Sequence, residues 1–112
     1  MILQNNTETK LQPAILPFHC SSSLPAEPGK YICDIHAKQG DVRFRHAAYN
    51  IFTGCFEDKP DGNDAECVLI REGETVRIAF TCAEHYGHAD DLSIFNDSYL
   101  KPAVFTCSCQ KQ

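Results

Sequence analysis

The sequence predicts an α+β fold, with one α-helix packed on a twisted antiparallel β-sheet and stapled by disulfides. Three observations point there. A β-branched, alternating segment opens the ordered region at Lys30, a stretch with helical spacing follows Gly40, and short alternating runs separated by turn residues fill the remainder. The chain of 112 residues is sized for one domain, and 43% hydrophobic residues suffice for a packed core. Lys plus Arg is 10 against 15 Asp plus Glu, a formal charge of -5, which argues against binding nucleic acid by phosphate neutralisation. A local basic patch is available where Lys38, Arg43, Arg45 and His46 lie close together. Apolar runs are short, Val68-Leu69-Ile70 being typical, so no membrane span is expected.

Residues 1–29 read as an extended arm. They carry Pro13, Pro17, Pro25 and Pro28 and the run Ser21-Ser22-Ser23, with no sustained period. Proline lacks the amide donor that helix and ladder need. Ile15, Leu16 and Phe18 could dock such an arm, with Cys20 tying it down. The opening MILQNNTETK has no apolar h-region and is not a signal peptide. The domain itself is expected over residues 30–112.

Within it, Tyr31, Cys33 and Ile35 alternate with Lys30, Ile32 and Asp34, which predicts a strand. Asp41 suits an N-cap, Phe44, Ala47/Ala48, Ile51 and Cys55 follow at roughly helical spacing, and Gly54 suits the residue just past a helix end. A polar loop runs from Glu57 to Asp64. Cys67–Arg71 and Thr75–Cys82 then flank Glu72-Gly73-Glu74, and this arrangement predicts a β-hairpin. Residues 83–91 read as a polar, His-rich loop, with Asp90-Asp91 and Asp61-Gly62-Asn63-Asp64 as solvated turns. Leu92–Phe95 and Ala103–Cys109 supply the last strands.

Cysteine is over-represented, with 7 residues at positions 20, 33, 55, 67, 82, 107 and 109. That dispersal reads as a disulfide framework made in an oxidising compartment, rather than the close ligand pairs of a metal site. The odd count leaves one thiol free or paired between chains. The sequons Asn5-Asn6-Thr7 and Asn96-Asp97-Ser98 are compatible with secretion.

Tyr31-Ile32-Cys33 near the start of the fold, one helix within ten residues and a sheet ending in a late Cys together resemble a known family. They are similar to the RNase-like (RALPH-type) effectors secreted by plant-pathogenic fungi, which in turn look like the small guanyl-specific fungal ribonucleases. Val42-Arg43 followed by Ala47-Ala48 is similar to the Val-Arg and Ala-rich positions that those ribonucleases often carry on their single helix. The resemblance covers residues 31–109. The chain departs from the pattern in its long segment before Tyr31 and in its number of Cys. Tyr31-Ile32-Cys33 also has the spacing of an immunoglobulin tyrosine corner, but that needs a Cys far upstream and an intervening Trp, and the chain has 0 Trp.

The resemblance implies a disulfide from Cys33 to Cys107 or Cys109. Strand alternation puts both candidates on one face, and the pairing of Cys20, Cys55, Cys67 and Cys82 stays open. It further implies a secreted virulence effector that binds a host protein, acts inside host cells, and is recognised by a plant immune receptor, with no cofactor. The alternatives are a secreted ribonuclease or ribotoxin, or another cysteine-rich extracellular binding module. A ribonuclease needs a base, an acid and a cation at the phosphate, which Glu66, Arg77, His85 and His88 could supply. Yet residues 57–66, where those ribonucleases place a Tyr and a Pro-His-X-Tyr-like element, hold neither His nor Tyr, and their acidity opposes RNA. Cys82, His85 and His88, with Cys107 or Cys109, offer donors that zinc accepts, but disulfides compete for the same sulfurs.

Overall fold

The computed structural model describes residues 2–13, 21–23, 28–58, 67–98 and 100–112, and the fold is all β. Its strands are β1 (Ile2–Leu11), β2 (Ser21–Ser23), β3 (Gly29–Gln39), β4 (Val42–Asn50), β5 (Cys55–Asp58) and β6 (Cys67–Ile70). They continue with β7 (Thr75–Cys82), β8 (Glu84–His85), β9 (His88–Ala89), β10 (Asp91–Asn96) and β11 (Ala103–Lys111). One antiparallel sheet runs β1-β11-β3-β7. The other runs β2-β10-β4-β5, with β6 also paired to β4, and β8 and β9 form a separate small hairpin.

The two sheets bury a shared core. Tyr31, Ile35, Ile78, Phe80 and Phe105 come from the first, and Val42, Phe44, Ile70, Leu92 and Ile94 from the second. Phe80 bridges the layers, its ring centroid 5.6 Å from Tyr31 in its own sheet and 5.5 Å from Phe44 in the other. Alternation along β3 and β11 is regular, and this is the pattern of a half-buried strand.

The expected helix after Gly40 does not form; that segment is β4. Val42, Phe44 and His46 are fully buried while Arg43 and Arg45 between them are not, which is a period of two. The helical spacing was produced by Ala47, which is buried too, and by Ile51 and Cys55, which are in fact exposed. Asp41 is no cap; its Oδ1 accepts the Glu72 N–H at 2.9 Å. Gly54, at φ 69°, closes the turn between β4 and β5, donating its N–H to Asn50 O at 2.8 Å. β4 is paired on both edges, with β10 on one and β5 and β6 on the other, and that ladder outweighs any helical preference of its Ala positions.

The expected hairpin over Cys67–Cys82 is also corrected. β6 pairs with β4 and β7 with β3, so Glu72-Gly73 arches between the sheets. Gly73 donates to Ala37 O at 2.7 Å and Glu74 to Arg71 O at 2.9 Å, which fixes the arch on the end of β3. A second crossing, at Gly40, has φ 71°, and a Cβ there would stand 2.8 Å from Ser98 Oγ, so both conformation and space require glycine.

The segment read as an arm supplies edge strands, β1 against β11 and β2 against β10, and Leu11 joins the core. Ile15, Leu16, Phe18 and Cys20 lie outside the described residues. A disulfide joins Cys33 to Cys109, which face each other in register on β3 and β11. It therefore staples neighbouring strands of one sheet.

Candidate functional site

The chemically distinctive part of the molecule lies where the β8–β9 hairpin packs on β4. Its two central residues, Tyr86 at φ 53° and Gly87 at φ 80°, both adopt the left-handed region, and this is what a two-residue type I′ turn demands. Tyrosine is costly in that conformation, so a non-glycine there marks either strain or a use for the side chain. Tyr86 is exposed at the tip.

Asp90 anchors this hairpin. Its side chain is fully buried, Oδ2 accepting from His46 Nε2–H at 2.7 Å and from the Ala83 N–H at 3.0 Å. Oδ1 has no hydrogen-bond partner among the described residues, and His85 Nε2 lies 3.9 Å from it. His46 is buried on the inner face of β4 with its ring edge toward Phe80, and its Nδ1 is likewise unpaired among the described residues. A buried carboxylate is kept because it is hydrogen-bonded.

On the other side of the hairpin His88 stacks on Tyr49, with ring centroids 4.0 Å apart. Phe56, opposite Tyr49 in the β4–β5 ladder, meets both rings edge-on, at 5.6 Å from Tyr49 and 6.2 Å from His88. Ile51 and Phe52 lie in the turn between β4 and β5, and Tyr86 lies at the tip of the hairpin that carries His88. Among the described residues the exposed large hydrophobics are Ile51, Phe52, Phe56, Tyr86 and Leu100, and all but Leu100 belong to the β4–β5 turn, β5 or the β8–β9 hairpin. Phe52 is 94% exposed. The arrangement can dock apolar and aromatic groups.

The residues expected to cleave RNA are not brought together. Arg77 lies on the outer face of the first sheet, its Nε and Nη2 donating to the Asp34 carboxylate at 2.9 and 3.1 Å. These hydrogen bonds hold the Asp34 carboxyl below its usual range. With Ile32, Ser108 and Gln110 this pair lines a polar groove of about 530 Å³. His85 and His88 sit instead against β4 of the second sheet, and Glu66 lies outside the described residues.

Among the described residues the sole trio of metal-capable donors within 4.8 Å of one another is Cys33, Cys107 and Cys109, and two of those sulfurs are bonded to each other. Cys82, His85 and His88 thus do not converge; Cys82 is buried on β7 and both histidines are exposed. Cys55 is an exposed free thiol, and the Cys67 side chain and Cys20 lie outside what is described. Asn96, the acceptor of a sequon, is buried and donates its Nδ2 to Gln12 O at 2.8 Å and Lys101 O at 2.7 Å, so it is engaged in the fold.

Sequence reasoning missed Asp90, which is no solvated turn, and the packing of Tyr49 and Phe56 on His88. Tyr86-Gly87 between two histidines was the available signal, as a hairpin dipeptide. Compared with known protein families, with curated proteins and with solved structures, the chain matches none.

Proposed function

We propose that this protein is a secreted, disulfide-stapled binding module that engages a partner protein through the aromatic tip formed by Ile51, Phe52, Phe56 and Tyr86. The observation that carries the proposal is that these exposed large apolar side chains sit on β5, its turn and the β8–β9 hairpin, which His88 joins by its ring contacts with Tyr49 and Phe56. Contiguous exposed apolar surface costs solubility and marks interaction sites, and Tyr and Phe supply much contact area for little lost rotamer freedom. The buried cross-strand disulfide and the count of 7 Cys fit an oxidising compartment. A host protein as the partner, and hence an effector role, follows from the family resemblance of the sequence; the helix on which part of that resemblance stood is absent from β4.

Photocrosslinking from position 53, beside Phe52, in an extract of the partner tissue tests the proposal. A specific crosslinked protein that disappears in the doubly substituted Phe52→Ser, Tyr86→Ser chain, with unfolding midpoint retained, is the expected result. Capture unaffected by both substitutions would count against it. Incubation with RNA covers the catalytic alternative: cleavage that His85→Ala and His88→Ala abolish overturns a binding-only role.

A further inference from the structure

Cys33, Cys107 and Cys109 are fully buried, and β-strand alternation sets the two on β11 on the same inward face. Cys107 stands opposite Ile35, two positions along from the Cys33–Cys109 pair. Its thiol is not part of the bond, yet its Sγ lies 3.3 Å from Cys109 Sγ, and all three sulfurs fall within 4.8 Å of one another. A third sulfur beside a disulfide is the juxtaposition from which thiol–disulfide exchange starts, once the attacking thiolate lines up with the bond.

We propose that these three residues form a buried exchange site in which Cys107 attacks the Cys109 sulfur and releases Cys33. The Cys107 thiolate forms a new S–S bond with Cys109 while the Cys109–Cys33 bond breaks. Its electron pair leaves on Cys33 Sγ, which takes up the proton that Cys107 gave, so no oxidant or reductant is consumed. The staple between β3 and β11 becomes a bridge within β11. Alternate residues of a strand lie roughly 6.6 Å apart, near the upper end of the Cα separations a disulfide spans, so the new bridge forms only as β11 bends and brings the two Cβ atoms together.

The folded sheet holds this reaction back. Burial, with a smaller contribution from the Asp34 charge, pushes the Cys107 thiol up to about 12, and only the thiolate attacks. Loosening of β11 hydrates Cys107 and starts the exchange. The site therefore converts an opening of the sheet into a covalent change, and cuts the cross-strand link in doing so.

Disulfide mapping tests this on the full chain carrying Cys55→Ser, so that the exposed thiol takes no part. The protein is incubated at neutral pH in sub-denaturing urea without added thiol, quenched in acid, alkylated and digested without reduction. The expected product is a chain with Cys33 alkylated and Cys107 linked to Cys109. Its fraction should rise with urea and fall to background when Cys107→Ala is added. Cys33 bonded to Cys109 in every sample overturns the proposal, as does alkylated Cys33 at equal level without Cys107. A separate Cys33→Ser chain guards against a folding defect in the Cys107 variant. With oxidised glutathione its Cys107 and Cys109 should join, and their persistence as two thiols also overturns it.

Discussion

Tyr86 and Cys107 show single side chains held where their chemistry resists. A bulky residue in the left-handed region costs about 1–2 kcal/mol relative to the right-handed one, and Tyr86 bears that cost at φ 53° while exposing its ring. Asn is favoured at that turn position. Tyr86→Asn should therefore raise stability by up to about 1 kcal/mol, read as a higher urea midpoint, while weakening capture of the partner. A fall in both would mean that the Tyr86 ring holds the hairpin in place. For Cys107 the argument runs through linkage. Its folded pKa is about 12 against an ordinary 9.0, so the folded state prefers the neutral thiol. The resulting stability is fully present below pH 9 and is lost as pH rises from there toward 12. The loss should approach about 1.4 kcal/mol per pH unit in that window. Urea midpoints between neutral pH and pH 10.5, compared with those of Cys107→Ala, measure it; equal slopes in the two proteins would refute a buried thiol.

At the scale of elements, the strands that alternate cleanly were legible, and those whose position depends on distant partners were not. β3 could be read directly because Tyr31, Cys33 and Ile35 alternate with more polar neighbours, and β11 likewise. β4 was misread because its outer face is covered as well as its inner one. Ala47 is buried on the side where Arg43 and Arg45 are not, and a mixed pattern of that kind fits 3.6 about as well as 2. Two bracketing residues that look like helix caps, Asp41 and Gly54, instead serve an arch and a turn. The link at Glu72-Gly73 has the length of a hairpin loop, yet its arms belong to different sheets. A local sequence does not state whether a turn keeps its strands in one layer. The site was less legible still. His85 and His88 were visible as candidates, but their partners Asp90 and Tyr49 become neighbours only through the β4–β10 pairing and the hairpin packed on β4. Asp90 looked like a solvated turn because nothing in its surroundings in sequence reports burial.

At the scale of the whole molecule, the staple and the aromatic tip belong to different sheets. Cys33–Cys109 closes a loop of sequence separation 76 inside the β1-β11-β3-β7 sheet, and Tyr49, Phe56 and the hairpin ride on β4 and β5 of the other. Constraining an unfolded loop of that length is worth about 4–5 kcal/mol in the chain-entropy picture. A domain of this size has a total of roughly 5–15 kcal/mol, so the bridge decides whether the fold persists under stress. Replacing both cysteines, Cys33→Ala with Cys109→Ala, should lower the unfolding free energy by about that 4–5 kcal/mol. Amide exchange should then quicken first in β3 and β11, while β4 and β10, paired with each other and packed on the far layer, keep more of their protection. Because the tip is built on that second layer, partner capture at low temperature should survive in whatever fraction remains folded. Capture lost in step with the staple, at unchanged folded fraction, would place the binding surface on the first sheet, beside the Asp34–Arg77 groove.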